Sequence, residues 1–320
     1  MKNRKIDVAI QSYKKPESLI YTIFSLKKHC GELIDTIYIN DDCSGDGTID
    51  FYKDKEFLKR IEPIKIKIRE NTKASGYTYT LVTREMWHNK NFIEKLQLLG
   101  HFIINRAKFY KNSNDVRYQW AFNSTDKKYL FLIHDDIKFY DDILNYYYSI
   151  IDKDENIAIV GDLGGSQRCP FGPCGQECSP QKIMDGSIPN KIWPLTGKNS
   201  FFLTLLGRYK RNCRINEWCC LINVDISKKI FDKYGVYFGN YEGGGDVGTF
   251  WFDKIIKDGY RFVDPLPCKE NRKKYYLHWW QGNEGHSVWV GTAKYEKNLV
   301  LKSLLEEYNY VINKEKRLWF

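Results

Sequence analysis

The stretch "YLFLIHDDIKF", residues 129–139, runs from five apolar residues straight into His134, Asp135 and Asp136. A second run, "IDTIYINDD", residues 34–42, also closes on two acids, Asp41 and Asp42. A buried strand gains nothing from carboxylates at its end, because taking an unpaired charge out of water is costly. Carboxylates so placed serve as ligands for hard divalent cations, as acid or base groups, or as caps and turn formers. Two pairs placed alike suggest one rim and one site. Further along, "NYEGGGDVG" sets Glu242 and Asp246 around three glycines, just ahead of an amphipathic segment.

Those acids need strands to deliver them. "IDVAIQSY", residues 6–13, is a short apolar run suited to a buried parallel strand. "KPESLIYTIFSLKKHCG", residues 15–31, reads as a helix with Pro16 near its start and Gly31 just past its end. Leu19, Ile20, Ile23 and Phe24 share one face of it, with Lys27 at the margin. "IKIKIREN", residues 64–71, alternates strictly and predicts a strand with one polar face. One amphipathic helix is expected over 91–110, a continuous strand over 129–139, and a helix over 141–152. Strands alternating with helices predict an α/β fold whose mostly parallel central sheet is flanked by helices. In such sheets ligands bind beyond the carboxyl ends of the strands, where both acid pairs fall.

The second half begins with a loop-rich stretch, residues 164–197, full of turn formers and holding Cys169, Cys174 and Cys178. Regular structure returns with "NEWCCLINVD" and a helix over 226–235. Another helix spans 249–259 with Gly259 as its stop, then a short strand falls within 260–267, and a final helix with a basic end covers 295–320.

The chain has 320 residues, 42% of them hydrophobic, which is ample for a sizeable core. Fifty Lys and Arg against forty Asp and Glu leave a net charge of +10, scattered and not in blocks. That excess attracts anionic partners such as nucleotide phosphates or anionic lipid head groups. No nucleic-acid motif accompanies it, so nucleic acid is not expected as a partner. The N-terminal apolar stretch is too short for a signal peptide, and no stretch is long enough to span a bilayer. Nine Cys, an odd number, point with the missing signal to reduced thiols, hence to a cytoplasmic location, peripheral at most to the inner face of a membrane.

The segments "VAIQSYKKPESL", "INDDCSGDGT", "FLIHDDI" and "GGGDVGTFWFDKIIKDGYR", in that order, resemble glycosyltransferase family 2. The resemblance covers roughly residues 6 to 267. Its most specific piece is "INDDCSGDGT", an acid pair followed by Ser, Asp, Gly and Thr. It implies the GT-A fold, a Rossmann-like α/β architecture, in one domain over 1–290: residues 1–140 for the nucleotide sugar, 141–290 for the acceptor. Residues 291–320 would then be a C-terminal helical extension.

The resemblance implies an inverting transfer of a sugar from a nucleotide-diphosphate donor to a hydroxyl of a glycan or glycolipid acceptor, in surface glycan assembly. Gln11, Ser12 and Tyr13 would line the nucleotide pocket, and Asp42, with Asp41 as alternative, would accept a hydrogen bond from the base. The family more often carries Thr or Asn where Gln11 stands. Asp135, then Asp136, would hold Mn2+ or Mg2+, because a diphosphate leaving group needs a cation to neutralise it. The first acid of the family's Asp-X-Asp motif is replaced here by Ile133 or His134. Asp246 would be the base, with Gly245 replacing the usual preceding acid and Glu242 in reserve. His278 would complete the metal shell, with His286 and His134 as alternatives.

Each assignment has a plainer rival. Asp41 and Asp42 suit a turn, while Asp135, Asp136 and Asp246 suit caps. Trp279 and Trp280 suit either a sugar face or the core. Cys169, Cys174 and Cys178 fit structural Zn2+ loosely, with Cys213 or the Cys219–Cys220 pair as a fourth ligand, and fit ordinary thiols better. The helix ending "KEKRLWF" suits a membrane surface, a homodimer contact or simple packing. A sugar nucleotidyltransferase would want glycines after the first strand, where "QSYKKPESL" has none. A non-catalytic nucleotide-sugar-binding protein is the other alternative.

Overall fold

A computed structural model of the chain describes residues 4–74, 80–88, 90–103, 107–110, 112–165, 213–239, 247–267, 269–278 and 297–312. Strand β1 (Ile6–Ser12) leads into helix α1 (Pro16–Cys30) and back into β2 (Ile34–Asp41). Two short helices, α2 (Thr48–Tyr52) and α3 (Lys55–Ile61), precede β3 (Lys65–Glu70). A small module follows: β4 (Thr80–Thr83), α4 (Arg84–His88), α5 (Phe92–Ile103) and β5 (Ala107–Tyr110). Then come α6 (Gln119–Ser124), β6 (Tyr129–His134), β7 (Ile137–Phe139), α7 (Ile143–Ile151) and β8 (Ile157–Gly165). The rest is β9 (Cys213–Asn223), α8 (Val224–Tyr234), α9 (Thr249–Lys257), β10 (Arg261–Val263), α10 (Lys269–Arg272), β11 (Tyr276–His278) and α11 (Lys297–Tyr308).

Seven strands form the central sheet in the order β10-β8-β9-β6-β1-β2-β3. β1 is parallel to both β2 and β6, β2 to β3, and β10 to β8; β9 alone runs antiparallel to its neighbours, β6 and β8. The mostly parallel, helix-flanked sheet expected from the sequence is therefore present. β1 and β6 are buried along nearly their whole length, as strands covered on both faces must be. β3 is one edge strand, and its Lys-Ile-Lys-Ile alternation turns its lysines to solvent.

Two apolar clusters sandwich the sheet. On one side α1, α7 and α11 cover Val8, Ile10, Phe131 and Ile133. On the other, α6, α8 and α9 cover Ala9, Leu130, Leu132 and Ile222. Helix α1 starts at Pro16, which needs no N–H there, and carries Glu17 in its first turn and Lys27, Lys28 and His29 in its last. It is buried on more than its predicted face because α11 packs over it: the Tyr21 and Tyr308 rings meet edge to face at 5.4 Å, and Phe24 meets Tyr310 at 5.1 Å. The described part of the C-terminal helix is thus a packing helix, with Val300 and Leu304 fully buried.

Three predicted elements differ, one of them the final helix expected over 295–320, which ends at Tyr308 where Asn309 takes a positive φ of 46°. The strand expected over 129–139 is two strands, because Asp135 and Asp136 form a turn between β6 and β7, and β7 pairs with β11 outside the main sheet. The helix expected over 91–110 ends at Ile103; residues 107–110 instead pair with β4 as a parallel strand. The polar segment Asn105-Arg106 interrupts the apolar pattern there, and the remaining "AKFY" alternates with a strand period.

Candidate functional site

The carboxyl ends of β1, β2 and β6 meet at one rim. β1 and β6 pair in register to Gln11 and His134, while β1 and β2 pair to Ser12 and Asp41. Lys14 just beyond β1 and Cys43 just beyond β2 both have positive φ, 55° and 60°. Non-glycine residues adopt that conformation only where surrounding contacts hold it. Here the Lys14 N–H donates to Ser44 Oγ at 3.0 Å, and Ser44 Oγ donates to Asp41 Oδ1 at 2.7 Å. The two bends brace each other.

Asp41 serves that bend, since its other oxygen accepts from the Ser44 N–H at 2.8 Å. Burial pushes its carboxyl up to about 6 against the lowering pull of those bonds. Asp42 accepts from Asn71 Nδ2 at 2.8 Å, reaching across to the chain that follows β3. Arg69 stiffens the same wall: it bonds the Asn40 side chain and the Asn114 carbonyl, and it pairs with Asp115. Gln11 accepts from Asn40 Nδ2 at 3.0 Å, but its own Nε2 is buried with no partner among the described residues. A buried donor left unpaired costs free energy.

Asp135 and Asp136 face in different directions. The Asp135 carboxylate accepts from Ser12 Oγ at 3.2 Å and from the Tyr13 N–H at 3.4 Å, and its backbone carbonyl accepts from Ser18 Oγ at 2.7 Å. Asp136 splits its oxygens: Oδ2 lies 3.1 Å from Lys15 Nζ, while Oδ1 lies 2.7 Å from His278 Nε2. Lys15 also reaches Asp135 Oδ1 at 3.4 Å, so one ammonium bridges both acids. Burial alone would push the Asp136 carboxyl up, yet the His278 and Lys15 charges hold it well below the usual carboxylate range.

His134, on the last residue of β6, completes the cluster. Its Nδ1 is 3.3 Å from His278 Nε2 and 3.9 Å from Asp136 Oδ1, while its Nε2 faces Glu217 Oε1 at 3.5 Å. Burial lowers its pKa to about 4, so the imidazole is neutral at physiological pH. His134, Asp136 and His278 thus bring one ligand atom each to within 4.8 Å of one another. A neutral imidazole at His134, a carboxylate held ionised at Asp136 and the imidazole of His278 are ligand types that a divalent cation takes. The residues fit such an ion.

Outer partners hold that cluster. Glu217 pairs with Arg214, so its carboxylate is fixed while it faces His134. The strand carrying His278 is anchored by Tyr276, whose hydroxyl bonds the buried Asp162 carboxylate, which Arg272 also pairs at 3.2 Å. An outer carboxylate facing the ring nitrogen that does not bind is characteristic of metal-binding imidazoles, and Glu217 supplies one for His134.

No protein-family model matches the chain, and no curated protein sequence does. Among solved structures it is similar to the mannosyltransferase PcManGT from Pyrobaculum calidifontis, in complex with GDP-Man and Mn2+. The two are 10% identical with a TM-score of 0.45, over 82% of this chain and 54% of that one. The chain therefore spans about half the length of that structure.

The rim collects Gln11, Ser12, Tyr13, Asp41, Asp42, Asp135, Asp136 and His278. His134 and His278 share the cluster with Asp136, whereas Asp135 lies toward Ser12 and Lys15. Glu242, Asp246, His286, Trp279, Trp280, Cys169, Cys174 and Cys178 lie outside the described residues. Cys219 and Cys220 are buried thiols on opposite faces of the sheet, one in each apolar cluster. Sequence reasoning missed Lys15, Glu217 and Arg214. The adjoining "KKPES" gave a signal for Lys15, a cation directly after the first strand; Glu217 carried only the weak signal of an acid inside an apolar run.

Proposed function

We propose that the protein is a metal-dependent, inverting glycosyltransferase that moves a sugar from a nucleotide-diphosphate donor to an acceptor hydroxyl on a glycan or glycolipid. The observation that carries this reading is the His134–Asp136–His278 cluster at the carboxyl rim of a parallel sheet, beside a second acid pair and the bridging Lys15. Ligand sites in open α/β sheets form at such rims.

In this reading Asp42 and Gln11 receive the nucleoside, with the unpaired Gln11 amide donating to it. His134, Asp136 and His278 would hold the cation, which would supply the positive charge that a diphosphate leaving group needs. Lys15, now shared between Asp135 and Asp136, adds a positive charge at the same place. The acceptor oxygen attacks the anomeric carbon as the bond from that carbon to the diphosphate oxygen breaks. The acceptor's proton passes to the Asp246 carboxylate, and the nucleoside diphosphate leaves with the bonding pair.

The test is release of nucleoside diphosphate from a panel of UDP, GDP and TDP sugars in the presence of Mn2+. Asp246→Asn should abolish turnover while leaving donor binding intact. Tight donor binding without turnover in the unsubstituted protein, across the acceptors tried, would favour a non-catalytic nucleotide-sugar-binding protein.

A further inference from the structure

Apolar side chains that stand out of the surface are gathered in one place. Six of the ten large exposed ones among the described residues, namely Phe92, Ile93, Leu96, Leu99, Ile103 and Phe109, belong to the β4–α4–α5–β5 module. Four of them, Phe92 at 74%, Leu96 at 51%, Leu99 at 45% and Ile103 at 82% exposure, follow one another at steps of four, three and four along α5. That spacing puts them on a single stripe of the helix. The stripe is not needed by the module's own core, which Leu98 closes against Val82 with Trp87 and Phe102 packed around them.

The surroundings are basic. Among the described side chains of the module, Arg84 and His88 on the adjoining α4 are exposed and Lys95 on α5 itself is half-exposed. A helix of twelve residues is about 18 Å long, too short to cross a bilayer but long enough to lie in its surface. No helix among the described residues is long and apolar enough to span one. The C-terminal helix, the sequence's first candidate for such a role, buries Val300 and Leu304 in the core and leaves only Leu299 and Leu305 exposed.

We propose that the outer face of α5 docks on an anionic lipid surface, with Phe92, Leu96, Leu99 and Ile103 entering the acyl boundary and Arg84 and Lys95 meeting the head groups. An apolar stripe flanked by cations, on a helix that lies flat, is the pattern of interfacial binding. The proposal stands independently of the sugar-transfer reading.

Vesicle flotation of the full chain tests it. The protein should float with phosphatidylcholine vesicles containing roughly 30% phosphatidylglycerol, and bind pure phosphatidylcholine at least about tenfold more weakly. About 0.5 M salt should weaken the anionic binding severalfold. Leu96→Ser with Ile103→Ser should reduce it by about tenfold or more at an unchanged melting temperature. If that double variant unfolds, Ile103→Ser alone, at the most exposed position, should still reduce binding about threefold. Failure to float with either vesicle overturns the proposal, as does wild-type binding by the folded variants. A dimer that the same substitutions split, with no vesicle binding, would overturn it in favour of a second copy.

Discussion

His278 Nε2 lies 2.7 Å from Asp136 Oδ1 and so ties the short strand β11 to the turn between β6 and β7. Two segments 142 residues apart meet at one carboxylate oxygen, while the other oxygen of Asp136 is held by Lys15. The cluster should therefore respond as a unit. Asp136→Ala or His278→Ala is expected to lower Mn2+ affinity by about a hundredfold or more, since each removes one of three ligands. Titration calorimetry or Mn2+ spin resonance on the folded variants checks this.

Two imidazoles with one carboxylate make a donor set richer in nitrogen than Mg2+ prefers. Nitrogen ligands favour the transition-metal ions, and their affinities rise along the divalent series. Mn2+, Co2+ and Zn2+ are expected to bind at concentrations where Mg2+ does not compete. Displacement of bound Mn2+ by equimolar Mg2+ would contradict the ligand assignment.

Glu217 faces the ring nitrogen of His134 that points away from the cluster. Glu217→Gln should lower metal affinity about tenfold, the usual cost of losing an outer carboxylate. Because the amide can still accept a hydrogen bond, Glu217→Ala should cost more than Glu217→Gln. Equal losses would mean that Glu217 acts only through its pairing with Arg214.

Lys15 neutralises two buried acids in the absence of metal. Lys15→Met should destabilise the fold by about 3 kcal/mol, because it strands buried carboxylates without a partner. Mn2+ should restore more stability to this variant than it adds to the wild type. Thermal denaturation with and without Mn2+ measures both effects, and equal stabilisation of the two proteins would sink the idea.

Asp264 accepts from the Leu163 and Leu266 N–H groups, yet burial raises its carboxyl from an ordinary 3.8 to about 6. A raised acid is bound to its proton more tightly folded than unfolded. Its favourable contribution is present below about pH 4 and is lost as pH rises through 6, a change of at most roughly 3 kcal/mol. Asp264→Asn removes that dependence, so the variant's melting temperature relative to wild type should climb between pH 4 and 7. A flat difference over that range would contradict the assignment.

The strands that build the rim were legible because each is a short apolar run ending in polar residues, and nearest-neighbour chemistry sets that pattern. The Asp135–Asp136 turn was not, since the apolar run resumes at Ile137 and only pairing with β11 shows that the chain has left the sheet. The antiparallel placement of β9 between β6 and β8 was hidden for the same reason: register with distant strands leaves no local trace. His134 and His278 were each visible as candidates, but their convergence on Asp136 depends on tertiary packing.

The central claim is tested most directly by the melting temperature of the protein with UDP, GDP, TDP and CMP, each with and without Mn2+. A ligand that binds only the folded state raises that temperature by mass action. The account predicts a rise with one nucleoside diphosphate that requires Mn2+ and disappears in Asp136→Asn. No rise with any nucleotide, or a rise indifferent to Mn2+ and to Asp136→Asn, would contradict it.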